Sequence, residues 1–223
     1  MLQQKSKKIF VYIFLLFFIG TFNNKNLNET NFLKIQHIDI SGLSEKKNLE
    51  VLEKLEILKI DNLFLLKKMQ IEKLINSFNH VENYSVFKKY PSSIYIKLNE
   101  TNYLAYVTKD NTNFYLGSNK KFIKVENDKK NLPFIFGNFD VEKFFELKKI
   151  INELKFDNKE IKNYFFFPSG RWDLEMNSGI LLKLSRDELE KSLKLSIKIL
   201  KAKNNENLKI IDLRQTNQVI INE

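Results

Sequence analysis

The sequence predicts an α+β protein with an N-terminal transmembrane helix, a small β-α-α-β-β domain, and a mostly antiparallel β domain with two helices. Three observations predict this. Hydrophobic residues make up 43% of the 223 residues, with 20 Phe, so the chain can build a substantial core. Apolar residues alternate strictly at Ile94, Ile96 and Leu98, which is typical of a half-buried strand. Other segments repeat apolar residues at helical spacing.

The N-terminus carries an apolar run, Ile9 to Gly20, behind the basic residues Lys5, Lys7 and Lys8. The run is shorter than the ~20 residues of a typical membrane span, and it also suits a signal peptide. No small-residue cleavage pattern follows it, which favours an uncleaved anchor. We therefore predict a cytoplasmic tail over residues 1–8, a transmembrane signal-anchor over 9–24 and a polar tether over 25–32, with the rest of the chain outside the cytoplasm.

The next segment, residues 33–101, predicts a small sheet with two helices on one face. We expect strands at Lys34–Ser41, Val81–Lys88 and Ser93–Glu100, and the Pro91 turn joins the last two strands. Helices are predicted from Glu45 to Leu58 and within the stretch that follows. The second helix presents an apolar stripe of Met69, Ile71, Leu74, Ile75 and Phe78.

Short strands dominate residues 102–223, which form the second predicted domain. Two helices interrupt them, Val141–Leu154 and Asp187–Ala202, and Ser185 or Asp187 is the candidate cap of the latter. The strands are predicted at Tyr103–Val107, Asn113–Leu116, Phe134–Phe136, Tyr164–Phe167, Trp172–Met176 and Ile180–Leu184, with a hairpin turn at Met176–Gly179.

The chain closes on a predicted hairpin, Leu208–Leu213 and Gln218–Asn222. No later segment is present in the sequence to cover the second strand. An uncovered strand presents a row of unpaired N–H and C=O groups, which is a template for strand addition by a partner. From the residues alone, a plain sheet edge that meets no partner is the favoured interpretation.

Catalytic and ligand-binding patterns are missing. The chain has no Cys, which excludes disulfides and thiolate metal sites. Its two His, His37 and His80, have no second ligand at metal-binding spacing. There is no Gly-rich phosphate loop and no nucleophile elbow. We therefore predict no enzyme, cofactor or metal site. The sequence leaves open one alternative, a site formed by carboxylates that converge in three dimensions.

The net charge of +10 has two interpretations. A basic surface for nucleic acid or an anionic membrane is one. The other is compositional bias, which the abundance of Lys with Asn, Ile and Phe favours. Nucleic-acid binders usually rely on Arg, which is almost absent here. We expect no nucleic-acid partner.

The order of these elements resembles the FtsQ family of bacterial cell-division proteins, called DivIB in Gram-positive bacteria. The most specific stretch is Val81 to Val107, in which an aromatic-Pro turn precedes an alternating strand, a Glu and an Ala. Weaker similarities lie at Leu132–Gly137, Arg171–Leu184 and Ile211–Arg214. Several positions depart from the family pattern: Phe87 and Tyr103 replace a basic residue and a Pro, and the cytoplasmic tail is very short.

The resemblance implies that residues 33–101 form a POTRA domain and residues 102–223 the FtsQ-type β domain. It implies a non-enzymatic scaffold that links early and late division proteins at the septum. FtsB- and FtsL-like bitopic proteins would bind the C-terminal edge strand, and other membrane division proteins the POTRA domain. The protein would be a single-pass type II protein of the inner membrane with its bulk in the periplasm. The implied partner-binding residues are Arg171, Trp172, Arg214, Gln215, Thr216, Asn217, Gln218, Val219, Ile220, Ile221 and Asn222.

Two other functions remain open from the sequence. One is a POTRA-containing component of envelope transport or assembly, which would need a membrane β-barrel or several POTRA repeats. The other is a membrane-anchored envelope enzyme, which would need a pocket with converging titratable groups.

Overall fold

A computed structural model describes residues 2–22, 34–125, 130–202, 208–215 and 218–222, and the structural statements below concern these residues. The chain forms two compact units, Met1–Glu100 (unit 1) and Thr101–Glu223 (unit 2). The predicted tether at 25–32 lies outside the described residues. So do Thr216 and Asn217 of the predicted binding hairpin.

The first helix, α1 (Leu2–Phe22), covers most of the predicted anchor. From Ile9 to Phe18 its apolar side chains are 45–74% exposed. Among the residues that the structure describes, no helix combines the length and the apolar character needed to cross a membrane. The transmembrane helix predicted over residues 9–24 is therefore not supported, because the apolar run within α1 is too short.

The folded part of unit 1 is a three-stranded sheet with two helices. Its elements are β1 (His37–Ser41), α2 (Glu45–Leu55) with a 3-10 turn at Glu56–Ile60, α3 (Lys68–Ile75), β2 (Val81–Lys89) and β3 (Ser93–Glu100). The strand order is β1-β3-β2. Strand β3 pairs with β1 in parallel and with β2 antiparallel, so it is the central strand.

The core of unit 1 follows the predicted pattern. Ile94, Ile96 and Leu98 are 0% exposed and pack in one cluster with residues of α2 and α3 such as Val51 and Ile71. The prediction for α3 fails at one position. Met69 is 71% exposed, because the buried face of α3 is carried by Ile71 and Ile75 and position 69 lies about 200° around the helix from position 71.

Unit 2 is built on a nine-stranded sheet. The strands are β4 (Tyr103–Lys109), β5 (Thr112–Gly117), β6 (Phe122–Lys124), β7 (Phe134–Phe136), β8 (Ile161–Phe166), β9 (Trp172–Met176), β10 (Leu181–Lys183), β11 (Ile210–Asp212) and β12 (Ile220–Asn222). The helices are α4 (Val141–Glu153) and α5 (Leu189–Lys201), and a short 3-10 turn spans Asn158–Glu160. The strand order is β12-β11-β10-β9-β8-β7-β4-β5-β6.

The sheet is mostly antiparallel, as predicted, but the sequence did not indicate which of its strands pair in parallel. Three of its pairings are parallel: β4 with β7, β7 with β8, and β10 with β11. Two of these arise because α4 connects β7 to β8 and α5 connects β10 to β11. A helical crossover returns the chain to the same end of the sheet, so the two strands run parallel. The short strand β6 was also not predicted.

One face of the unit 2 sheet packs on both helices. Leu174, Leu182 and Ile211 occupy one row across three strands and are each 0% exposed. They share a core with Phe144 of α4 and Leu193 of α5. The hydroxyl of the predicted cap residue Ser185 bonds just outside α5 rather than within it. The Ser185 hydroxyl accepts a hydrogen bond from the Glu188 N–H (3.3 Å), one residue before the helix begins.

Candidate functional site

The terminal hairpin predicted from the sequence is present, and its second strand is a sheet edge. Strand β12 pairs antiparallel with β11, with Ile211 opposite Ile221 and Asp212 opposite Ile220. It stands at the end of the nine-stranded order, where β11 is its one neighbour among the described strands. The other side of β12 therefore lacks a strand partner within the described residues.

The hydrogen-bond pattern shows which main-chain groups of β12 face outward. The Leu181 N–H donates to the Lys209 carbonyl, and the Leu213 N–H donates to the Lys183 carbonyl, both at 2.8 Å. Because backbone direction alternates along a strand, Ile210 and Asp212 face β12. Their partners in register, Asn222 and Ile220, must then face β11. The main-chain groups of Ile221, and of Val219 just before the strand, point away from the sheet.

The side chains of this edge are apolar and exposed. Val219, Ile220 and Ile221 are 37%, 54% and 49% exposed. Ile221 continues the buried row of Leu182 and Ile211 onto the edge strand. An exposed apolar edge strand is a liability for a protein in isolation, because it invites pairing with other chains. We use the name "β12 edge" for residues 218–222.

Next to the β12 edge, a row of charged side chains crosses the opposite face of the sheet. Lys183 on β10 lies in register with Asp173 on β9 and with Asp212 on β11. Asp212 in turn lies opposite Ile220. From Asp173 to Asp212 the charged row extends over about 10 Å, since neighbouring strands are about 4.8 Å apart.

Arg214 is held beside the β12 edge by Asp212. Its Nε lies 2.8 and 2.9 Å from the two carboxylate oxygens, and its Nη2 lies 2.5 Å from Oδ2. Hydrogen bonds from this guanidinium lower the pKa of Asp212 below its usual value, and the carboxylate raises the pKa of Arg214. The donors on Nη1 take no part in these bonds, so that side of the guanidinium is directed away from Asp212.

Asp212, Arg214, Gln215, Gln218 and Ile220 line a small cavity of about 260 Å³ at the hairpin. The structure thus brings together the predicted residues Arg214, Gln215, Gln218 and Ile220.

A second pair, Arg171 and Asp173, lies three strands away from the edge. The Arg171 Nε donates to Asp173 Oδ1 at 2.9 Å, and its guanidinium lies 4.2 Å from the Phe167 ring centroid. The Asp173 side chain is only 4% exposed. Burial raises the pKa of Asp173, and the hydrogen bond from Arg171 opposes this effect. Arg171 therefore has a structural partner of its own.

Trp172, predicted among the partner-binding residues, is a core residue at 3% exposure. Its ring lies among those of Phe166 (4.7 Å), Phe139 and Phe144 (both 6.1 Å). It supports the sheet from the helix side and offers no contact surface.

The sequence analysis missed the acidic partners in this row. Both aspartates lie two residues from their arginine, as Arg171-x-Asp173 and Asp212-x-Arg214. Residues two apart on a strand share a face. That spacing was the signal that could have indicated the two pairs.

Elsewhere in unit 2, a cavity of about 640 Å³ is lined by Tyr103, Leu104, Asn131, Leu132, Pro133, Lys148, Asn158, Lys159, Ile161, Lys162, Asn163 and Asn177. Burial lowers the pKa of Lys148 to about 8, and its Nζ donates to Asn158 Oδ1. This lining contains no carboxylate, imidazole or hydroxyl nucleophile beyond the Tyr103 phenol. Over the described parts of the chain, no group of three His, Cys, Asp or Glu is placed to hold a metal.

Comparison with known proteins gives consistent matches. A family model of the POTRA domain, FtsQ-type, matches residues 33–101. A model of the cell division protein FtsQ/DivIB, C-terminal, matches residues 105–214. The cell division protein FtsQ of Rickettsia bellii (strain RML369-C) is 26% identical over 193 residues, which are 84% of this chain and 72% of that protein.

A solved structure also matches, the major extracytoplasmic domain of the trans isomer of the cell division protein DivIB from Geobacillus stearothermophilus. It is 18% identical, with a TM-score of 0.32, over 47% of this chain and 99% of that one.

Proposed function

Because the chain belongs to the FtsQ/DivIB family of bacterial cell-division proteins, we propose that it is a non-enzymatic scaffold of the divisome. In this role it links early and late division proteins at the septum. It does so by accepting a β-strand of a partner at the β12 edge.

One observation carries this proposal: β12 ends the sheet with apolar side chains exposed and with the main-chain groups of Val219 and Ile221 directed outward. A partner strand laid along β12 would pair with these groups, and the paired main chains would supply affinity. It would also cover Ile221 and Ile220, which removes apolar surface from water at about 25 cal/mol per Å².

The flanks of the β12 edge suggest what the partner strand carries. On the helix side, Ile221 extends an apolar row, which favours apolar partner residues at alternate positions. On the other side lie Asp212 and Arg214. The Nη1 donors of Arg214 suit a carboxylate from the partner, because a guanidinium can bind two carboxylates through different edges.

The family suggests the partners and the location. We propose FtsB- and FtsL-like bitopic proteins as the strand donors, and other membrane division proteins as partners of the POTRA domain. We also propose the inner membrane at the septum as the location, with the N-terminus in the cytoplasm and the folded units in the periplasm.

The test compares proline substitutions at the two edges of the unit 2 sheet. Ile221→Pro and Val219→Pro each remove an outward N–H from the β12 edge. Lys124→Pro is the matched control. Val125 donates to the Asn113 carbonyl, and Lys121 accepts from the Gly117 N–H. Lys124 therefore faces outward from β6, the strand at the other end of the sheet.

Binding of the full chain in detergent to the extracytoplasmic segment of the FtsB-like protein is measured by calorimetry. Circular dichroism verifies the fold of each variant. We expect at least a tenfold loss for Ile221→Pro, which corresponds to one or more lost main-chain hydrogen bonds at about 0.5–1.5 kcal/mol each plus the steric effect of the ring. Lys124→Pro should bind like the unchanged protein. Equal binding by all variants would place the site elsewhere, and a wild-type chain that does not bind would contradict the scaffold role with this partner.

A further inference from the structure

Unit 1 exposes a group of large apolar side chains at one end. Their exposed fractions range from 56% to 76%. We call this group the apolar tip: Ile57, Ile60, Phe64, Leu65, Met69 and Tyr90. Five of the six come from one continuous segment, residues 57–69. The sixth, Tyr90, is held to it by a ring contact with Phe64 at 4.6 Å.

The local fold presents these residues on a turn. The Leu65 and Leu66 N–H groups both donate to the Asn62 carbonyl, at 3.1 and 2.9 Å, and the Asn62 side chain accepts from the Phe64 N–H. Lys88 fixes the turn to strand β2 by donating to the Leu63 and Leu66 carbonyls, at 2.7 and 2.9 Å. Phe64 and Leu65 therefore stand at the apex of an anchored loop.

The hydrophobic core of unit 1 does not bury the side chains of the tip. In the same segment Leu58, Leu63 and Leu66 point inward and are 3%, 0% and 5% exposed. These three leucines are the members of the segment that belong to the hydrophobic core of unit 1. A cluster of exposed large apolar side chains is unusual on a water-soluble surface, and it indicates contact with a partner or a membrane.

Lysines lie on two sides of the tip. Lys67 and Lys68 follow the buried Leu66 after the apex and are exposed, and Lys89 precedes Tyr90 on the neighbouring turn. Lys59 lies between Ile57 and Ile60 and bonds to Glu56. Glu56 and Asp61 also lie beside the tip, so its basic side is formed by Lys67, Lys68 and Lys89. Exposed apolar side chains next to such lysines are typical of surfaces that lie in the headgroup region of an anionic bilayer.

The chain enters the folded part of unit 1 at this end. Lys34 forms an isolated bridge with Asn62, and the Ile35 N–H donates to the Asp61 carbonyl at 3.2 Å. The chain thus enters unit 1 beside the apex of the tip. Eleven residues separate Lys34 from Phe22 of α1, so the two are at most about 40–45 Å apart by covalent geometry.

The exit of unit 1 lies at the opposite end. Strands β1 and β3 run parallel, with His37 opposite Ser93 at the tip end, and β3 ends at Glu100. The chain therefore enters the folded part of unit 1 at the tip and leaves it about one strand length away.

We propose that the apolar tip of unit 1 inserts into the surface of an anionic lipid bilayer. Phe64 and Leu65 reach below the headgroups, and the lysines contact lipid phosphates. The occupant is an anionic bilayer, which the exposed apolar side chains of α1 would also enter. The tip then fixes how unit 1 stands on the membrane. This inference does not depend on which partner the β12 edge receives.

The absence of Cys from the chain permits a direct test with a single label. Leu65→Cys carries an environment-sensitive dye at the apex. Leu49→Cys is the matched control, because Leu49 is also an exposed leucine of unit 1 (53%). It lies on α2 near Leu43, at the end away from the tip. Both full-length variants are reconstituted into phosphatidylcholine vesicles with and without phosphatidylglycerol, and the dye is quenched by spin-labelled lipids.

We expect a blue shift and lipid quenching for the dye at position 65, stronger with phosphatidylglycerol and weaker in high salt, and neither effect at position 49. Adding Lys67→Glu and Lys68→Glu should reduce the quenching at position 65. Equal quenching at both positions, or none at either, would overturn the proposal. A dye at position 65 that is shielded in detergent without lipid, in a particle with the mass of a dimer, would assign the tip to self-association.

Discussion

Replacing Tyr164 with Phe should stabilise unit 2, although it removes a polar group from a well-packed core. The side chain is 0% exposed, and its hydroxyl has no hydrogen-bond partner within the described residues. Its ring contacts Phe144 edge to face at 5.3 Å, a contact that Phe preserves. The substitution therefore removes one oxygen atom and nothing else.

The magnitude follows from two opposing effects. Burying a hydroxyl without a hydrogen bond costs about 1–3 kcal/mol in proteins. Deleting the oxygen leaves a void on the order of 10 Å³, which costs a few tenths of a kcal/mol at about 24 cal/mol per Å³. We expect the free energy of unfolding to rise by about 1–2 kcal/mol. Each kcal/mol should raise the Tm by about 3–5 °C for a unit of this size.

The gain should depend on pH. Burial raises the pKa of Tyr164 above its ordinary value of 10.0. Above pH 10 the unfolded chain loses this proton while the folded chain keeps it, so the unfolded state binds fewer protons. The stability of the wild-type protein then falls with rising pH because of Tyr164, by up to about 1.4 kcal/mol per pH unit. The Phe variant lacks this loss, so its advantage should widen above pH 10.

Urea unfolding followed by tryptophan fluorescence measures the difference in free energy of unfolding between Tyr164→Phe and the wild type. Trp172 is the only Trp in the chain, and its ring lies 6.4 Å from that of Tyr164, so the signal reports unit 2. Tyr164→Leu is a contrasting control that loses the aromatic contacts and should destabilise. If Tyr164→Phe is less stable than the wild type, the hydroxyl is bonded in the folded protein and the reasoning is wrong.

Two further outcomes can be checked by the same unfolding measurements. Arg171→Ala should cost about 3 kcal/mol at neutral pH, because it leaves the buried Asp173 carboxylate without its main cation. The loss should shrink toward pH 4, where the raised pKa of Asp173 lets the carboxyl protonate, and an equal loss at both pH values would contradict this account. Gly42→Ala should be far more destabilising than Gly179→Ala, by about 2 kcal/mol or more. Both glycines have positive φ, but a Cβ added at Gly42 would clash with the Leu98 carbonyl oxygen, whereas a Cβ added at Gly179 would meet no atom within 4 Å. Circular dichroism during heating resolves this order, and similar Tm values for both would show that unit 1 relaxes around residue 42.

The sequence by itself determined the local elements, including the terminal hairpin. Ile94, Ile96 and Leu98 alternate because a strand buries every second side chain, and near neighbours alone encode that period. The helices Val141–Glu153 and Leu189–Lys201 were predicted within two residues, since their apolar stripes repeat at helical spacing. The terminal hairpin was also predicted from its local sequence pattern.

Tertiary structure alone decided which strands meet and which charges pair. The parallel pairing of β10 with β11 depends on where α5 packs, a choice made by contacts far apart in sequence. That pairing brings Asp212 into register with Lys183 and turns the main-chain groups of Ile221 outward. The apolar tip likewise needed the fold. Met69 and Leu65 have the hydropathy of core residues, and only the fold shows that Leu63 and Leu66 belong to the core while these two are exposed.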